Sequence, residues 1–359
     1  MLRFLNRYTF LALTAGFLAV ACEDDDTITT TTEDPATYNF QNVDRSGQLQ
    51  RIQMLDTLIR KVREANDGET KVTAAELTAL YENSAKMFGT DKNLASKTYD
   101  KDGGATKNAI YALFNQVEAL SGNPANVEGG YLVTPEGLEP AQLLAKGLMG
   151  SVLYWQATDV YLGQEKMNAD NSKVTEGQGT AMQHHWDEAF GYFGVPTDFP
   201  ANEGKDNTKS AEERAWFWGS YSNQRADQLD LRQDIMKAFI KGRAAIGRND
   251  MIARDEAIAT IREKWDLLVA ANVVHYLNSA MKANNEQRTG AYYHNWSEGL
   301  AFAYALQYNP ERAITNEEFA HLIHLFGANP KEATEENLQE ANLLLKEVYG
   351  FTDAQLLNL

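Results

Sequence analysis

The sequence predicts an almost all-α protein. Three observations carry that prediction: eight prolines in 359 residues, few alternating β-branched runs, and apolar residues recurring at helical spacing along most of the chain. No substantial sheet is expected. The first helix should cover about 47–66, where Ile52, Leu55, Leu58, Ile59 and Val62 share a face. Thr73-Ala74-Ala75-Glu76 reads as a capping box opening a second helix, and residues near 106–120 form a third, followed by a loop rich in Gly, Pro and Asn over 121–137. Pro140 suits the first turn of a long helix to about 162. Its stretch over 143–153 is apolar nearly all round, as in a helix at the middle of a bundle. A helix near 180–193 is stopped by Gly194-Val195-Pro196. Ser210-Ala211-Glu212-Glu213 is expected to open helices covering 213–246, and Asp250 another to about 282. The next spans about 291–307. Thr315-Asn316-Glu317-Glu318 is a further capping box, starting a helix with His321 and His324, and two short helices finish the chain.

One short pattern occurs twice, 110 residues apart: His184-His185-Trp186-Asp187-Glu188-Ala189-Phe190 and His294-Asn295-Trp296-Ser297-Glu298-Gly299-Leu300. In each copy His and Glu stand four apart with Trp midway, so on a helix the two polar groups share one face and the indole points away. Upstream, Tyr161-Leu162 and Tyr276-Leu277 correspond if the first copy carries five extra loop residues. The reading is a duplicated helical bundle of two related units, about 140–194 and 256–307, within a domain over 38–359. Gly191 in the first copy and Ala301 and Ala305 in the second continue the His/Glu faces with small residues that let a neighbouring helix approach.

The first residues read as a lipoprotein leader over 1–21. Arg3 and Arg7 precede an apolar run over 8–21, about 14 residues, too short for the roughly 20 that span a bilayer. Ala19-Val20-Ala21-Cys22 resembles a bacterial lipobox with Cys22 as the lipidated residue, and Glu23-Asp24-Asp25-Asp26 resembles the acidic tag that places Bacteroidetes lipoproteins on the outer face of the outer membrane. Residues 22–37, acidic and rich in Thr, have the composition of a flexible tether. Cys22 is the one cysteine, so any metal must use nitrogen and oxygen ligands. The formal charge is −17, and −19 without residues 1–21, which makes nucleic acid an unfavourable partner.

Buried ionisable groups need partners. If the two helices meet about a pseudo-twofold axis, His184, Glu188, His294 and Glu298 converge as two imidazoles and two carboxylates, a donor set suited to a divalent metal, Fe²⁺, Zn²⁺ or Mn²⁺. The competing reading is two structural His-Glu pairs that pin helix packing. His185 and Asp187 are weaker candidates, expected to be exposed or local capping groups because Asn295 and Ser297 replace them in the second copy. His275 reads as a core histidine with a carbonyl partner, and His321 and His324 share a face. Tyr154, Trp155, Trp216, Phe217 and Trp218 read as core filling rather than a groove. No zinc-protease, nucleophile-elbow, phosphate-loop or dinucleotide motif is present in the sequence, and no catalytic residue or organic cofactor is assigned.

The stretches Tyr38-Asn39-Phe40-Gln41-Asn42-Val43, Lys146-Gly147-Leu148-Met149-Gly150, Tyr154-Trp155-Gln156-Ala157-Thr158 and the run from His184 to Pro196 resemble the Bacteroidetes-type lipoproteins grouped as domain of unknown function 4856. The resemblance runs from about Tyr38 onward and implies no established activity. A looser similarity is to imelysin-like proteins, duplicated helical bundles associated with iron uptake that carry Gly-x-His-x-x-Glu. His185 and Glu188 keep the inner spacing, while Gln183 replaces the glycine. The imelysin-like arrangement of two units is the fold this implies. The leading functional expectation is a lipid-anchored outer-membrane protein, probed by a TonB-dependent receptor as partner, that assists metal uptake at a site between the two repeats. Second stands a metal-free surface interaction or ligand-binding lipoprotein that partners a transporter, and third a peptidase-like enzyme.

Overall fold

Helix α1 (Ser46–Glu64) forms where the spacing places it, and Ile52, Leu55, Leu58, Ile59 and Val62 are all buried along its inner face. The computed structural model describes residues 33–359, so the leader, Cys22 and the tether up to residue 32 lie outside the described residues. α2 (Ala74–Glu82) starts at its capping box. The Thr73 hydroxyl accepts from the Glu76 amide at 3.2 Å, and the Glu76 carboxylate accepts from the Thr73 amide at 2.9 Å. After α3 (Ala105–Leu120) comes a two-stranded antiparallel ribbon, β1 (Val127–Glu128) and β2 (Tyr131–Leu132), the one sheet among the described residues.

α4 (Pro140–Leu148) begins at its proline, but the long helix then widens into two π-helical segments, Met149–Tyr154 and Gln156–Tyr161. Wide turns of this kind leave main-chain carbonyls for other donors. The Arg262 side chain takes two of them, donating from Nε to Thr158 O at 2.9 Å and from Nη2 to Leu162 O at 3.1 Å. α5 (Gln164–Met167) and a polar loop lead to α6 (Ala181–Phe193), which has a Thr180/Gln183 capping box and ends at Gly194 with φ 75°.

The stretch from 210 to 246 departs from the sequence reading. Ser210 to Glu213 opens a single 3₁₀ turn, Ala211–Glu213, and the chain then extends before α7 (Phe217–Arg225) and α8 (Arg232–Gly247). Trp216 causes the break: its amide donates to Gly194 O at 2.8 Å and its indole to Ala211 O at 2.8 Å, which ties the segment to the end of α6 instead of to a helix of its own.

α9 (Met251–Asn285) is 35 residues long and is capped by the Asp250 side chain on the Ala253 amide. α10 (Thr289–Ala305), α11 (Asn316–Phe326), α12 (Glu335–Tyr349) and α13 (Asp353–Asn358) follow, α11 starting at the expected Thr315/Glu318 box. The described residues thus form an all-α bundle of 13 helices. α8, α10 and α12 pack on α9, α4 packs on α10, and α6 sits between α1 and the second π segment. At the centre the Trp265 ring meets Phe193 edge-on at 4.8 Å, Tyr154 at 5.4 Å and Trp218 at 6.0 Å. Burying one indole removes roughly 200 Å² from water, about 5 kcal/mol of driving force. Tyr154, Trp155, Trp216 and Trp218 are buried and Phe217 is half-buried.

Candidate functional site

The first His/Glu station lies on α6. His184 Nε2 is 3.8 Å and His185 Nδ1 3.2 Å from the same Glu188 oxygen, Oε2, and Gln48 of α1 donates to Oε1 at 2.8 Å. Burial works against the ionised carboxylate, but the two histidines, Gln48 and the Tyr161 hydroxyl hold the Glu188 pKa below the ordinary value. The station is not interior as expected: the side chains of His184, His185 and Glu188 are 23%, 22% and 16% exposed. α1 comes close because residue 191 is glycine; a Cβ there would lie 2.9 Å from the Cβ atoms of Arg45 and Gln48.

Asp187 corrects the sequence reading. It is fully buried, not exposed, and its Oδ1 accepts from Arg243 Nε of α8 at 2.8 Å and from the Tyr38 hydroxyl at 2.6 Å. Burial lifts its pKa to about 6, against the opposing pull of Arg243 and the Tyr38 hydrogen bond. The Tyr38 ring also stacks on Phe190 at 3.8 Å.

The second station lies on α10 and is the drier of the two, with the Glu298 side chain 3% exposed. Its Oε1 accepts from the Tyr221 hydroxyl at 2.5 Å and from Lys146 Nζ of α4 at 3.1 Å, and its Oε2 faces His294 Nε2 at 3.4 Å. His294 Nδ1 meets Glu139 Oε2 at 2.7 Å, and Tyr131 of β2 stacks on the imidazole at 4.4 Å. Burial again opposes ionisation, but Lys146, the Tyr221 and Tyr276 hydroxyls and His294 keep the Glu298 pKa low.

The two stations match contact for contact. Trp186 donates to Phe239 O at 3.0 Å and Trp296 to Phe326 O at 3.2 Å, each with the accepting residue's ring edge-on. Gln48 of α1 serves Glu188 as Lys146 of α4 serves Glu298, and Tyr161 and Tyr276 occupy equivalent places. The stations do not merge, however. His184 and Glu188 are closed by α1 and the second π segment, and His294 and Glu298 by α4, α7 and α9. Among the described residues no three His, Cys, Asp or Glu side chains are grouped so that they could hold a metal ion. Sequence reasoning missed Gln48, Tyr38, Glu139, Lys146, Tyr221 and Arg243. Lys146 had a signal: a lysine on a helix apolar nearly all round needs a buried partner.

The remaining histidines are peripheral. His275 Nδ1 donates to Leu359 O at 2.5 Å, the backbone-oxygen partner expected of a core histidine, and burial with Arg225 nearby pushes its pKa down to about 4. His321 is paired with Glu340 of α12 at 3.2 Å, and His324 is exposed.

A groove of about 550 Å³ runs between α3, α4 with its first π segment, and α10. Leu113, Leu143, Leu300 and Tyr304 form its walls, and Gly147 and Ser151 lie at its base. No other feature of the described surface combines this depth with so apolar a lining.

No curated protein and no solved structure matches the chain. Its motifs nevertheless form one piece of machinery: Tyr38 seals Asp187 and Phe190, Lys146 neutralises Glu298, and Gly150 admits Ala305. A family model spans all of these positions, matching residues 35–352, and the chain belongs to the family described as Domain of unknown function (DUF4856).

Proposed function

We propose that the protein is a lipid-anchored binding protein of the outer membrane that engages a ligand or a transporter without a resident metal, its His/Glu pairs serving as pins of helix packing. One observation carries the choice of this reading over metal uptake. All four carboxylate oxygens of Glu188 and Glu298 already face donors from the chain: Gln48 and His185 for the first, Tyr221, Lys146 and His294 for the second. A divalent ion would have to displace an ammonium ion from Glu298 and draw together ligands from two stations. Anchoring rests on Cys22 and the acidic run after it, and no helix among the described residues is long and apolar enough to cross a membrane.

The test is metal content after equilibration with Fe²⁺, Zn²⁺ or Mn²⁺ and desalting. The reading predicts no stoichiometric metal, and the same trace in a His184→Ala/His294→Ala variant. Stoichiometric metal in the wild type that this variant loses contradicts it.

A further inference from the structure

The base of the α3/α4/α10 groove is built from small residues. A Cβ added at Gly147 meets nothing within 4 Å, so the floor of the groove is open space above a glycine in mid-helix, where glycine is otherwise a poor choice. One turn on stands Ser151, inside the first π segment and 1% exposed, and its hydroxyl finds no partner. A helical serine or threonine ordinarily turns its hydroxyl onto a carbonyl one turn back, as Thr158 does to Tyr154 O at 2.8 Å in the second π segment. Ser151 does not, and π turns recur at functional sites because they re-aim such groups. The lining holds no Lys, Arg or His, and its one charged residue, Asp102, is occupied by Thr106 and the Gly104 amide. The groove offers an anion nothing to pair with. Its volume falls in the range of small-molecule sites.

We propose that this groove binds a small, neutral, largely apolar molecule, gripped by Leu113, Leu143, Leu300 and Tyr304 and oriented by one hydrogen bond to the Ser151 hydroxyl. The proposal deepens the binding-protein reading by naming a ligand class, and its residues are not those of the metal experiment, so either can fail alone.

The probe is N-phenyl-1-naphthylamine, a neutral dye that brightens in apolar sites, titrated into the full-length protein. Saturable brightening is expected. Gly147→Leu fills the floor and gains helix propensity, so it should melt no lower than wild type and bind the dye at least about tenfold more weakly. Ala109→Leu, from the exposed wall of α3, blocks the groove from the other side and serves if Gly147→Leu does not fold. In competition, 1-naphthol should displace the dye better than naphthalene by roughly fivefold, and Ser151→Ala should erase that preference. Absence of saturable brightening, equal binding by the wild type and the filled variant, or a naphthol preference that survives Ser151→Ala would overturn the proposal.

Discussion

At Gly242 the backbone of α8 lies directly against the Trp186 indole; a Cβ there would fall 2.1 Å from two ring carbons. Gly242→Ala therefore has to push aside an indole that is fully buried and bonded to Phe239 O, and should cost about 1–3 kcal/mol in chemical denaturation despite alanine's better helix propensity. An unchanged or raised midpoint would show that the contact is slack. The two carboxylates should differ as well. Glu298→Gln leaves the buried Lys146 ammonium without its counter-charge and should cost about 3 kcal/mol, whereas Glu188→Gln, at a wetter station with no ammonium contact, should cost about 1 kcal/mol. Equal losses would contradict the burial difference between the stations. At this scale the spacing of His, Trp and Glu was legible because it depends on a single helix. Asp187 was misread because what buries it, Tyr38 and Arg243, lies 149 and 56 residues away in sequence.

Helices α2, α9 and α11 start where their capping residues announce them, since a cap is a local hydrogen-bond pattern written in four residues. The π segments were not legible: they depend on Arg262, about a hundred residues on, to accept the freed carbonyls into its hydrogen bonds, and on Gly150 meeting Ala305. Nor was the break at Trp216, which is held by the end of α6. One interelement contact has a pH signature. His275 ties α9 to Leu359, and its pKa falls from the ordinary 6.5 to about 4, so the unfolded chain takes up a proton first. Its contribution is complete above about pH 6.5 and is lost as pH falls toward 4. Asp187 and Asp266, both raised to about 6 chiefly by burial, act in the opposite sense: their protonation in the folded state relieves that burial, so stability rises as pH falls through 6. The expected result is that wild type loses on the order of 2 kcal/mol relative to His275→Asn between pH 7 and pH 4, read from urea midpoints at each pH. A difference that stays constant with pH would remove His275 from the account.

For the whole molecule, the all-α class and the order of most helices followed from periodicity, because apolar spacing decides which face each helix buries. The relation between the two His/Glu units did not. Whether repeated helices meet or stand apart depends on what packs between and around them, here α1 against one and α4 against the other, and no spacing in the sequence encodes that choice. The central claim is that the two stations are separate and each is satisfied by its own neighbours. A double-mutant cycle in urea denaturation tests it most directly, using His184→Ala, His294→Ala and the pair together. Separate stations predict losses that add to within about 0.5 kcal/mol. A coupling of 1 kcal/mol or more, as two residues sharing one site would give, would contradict it.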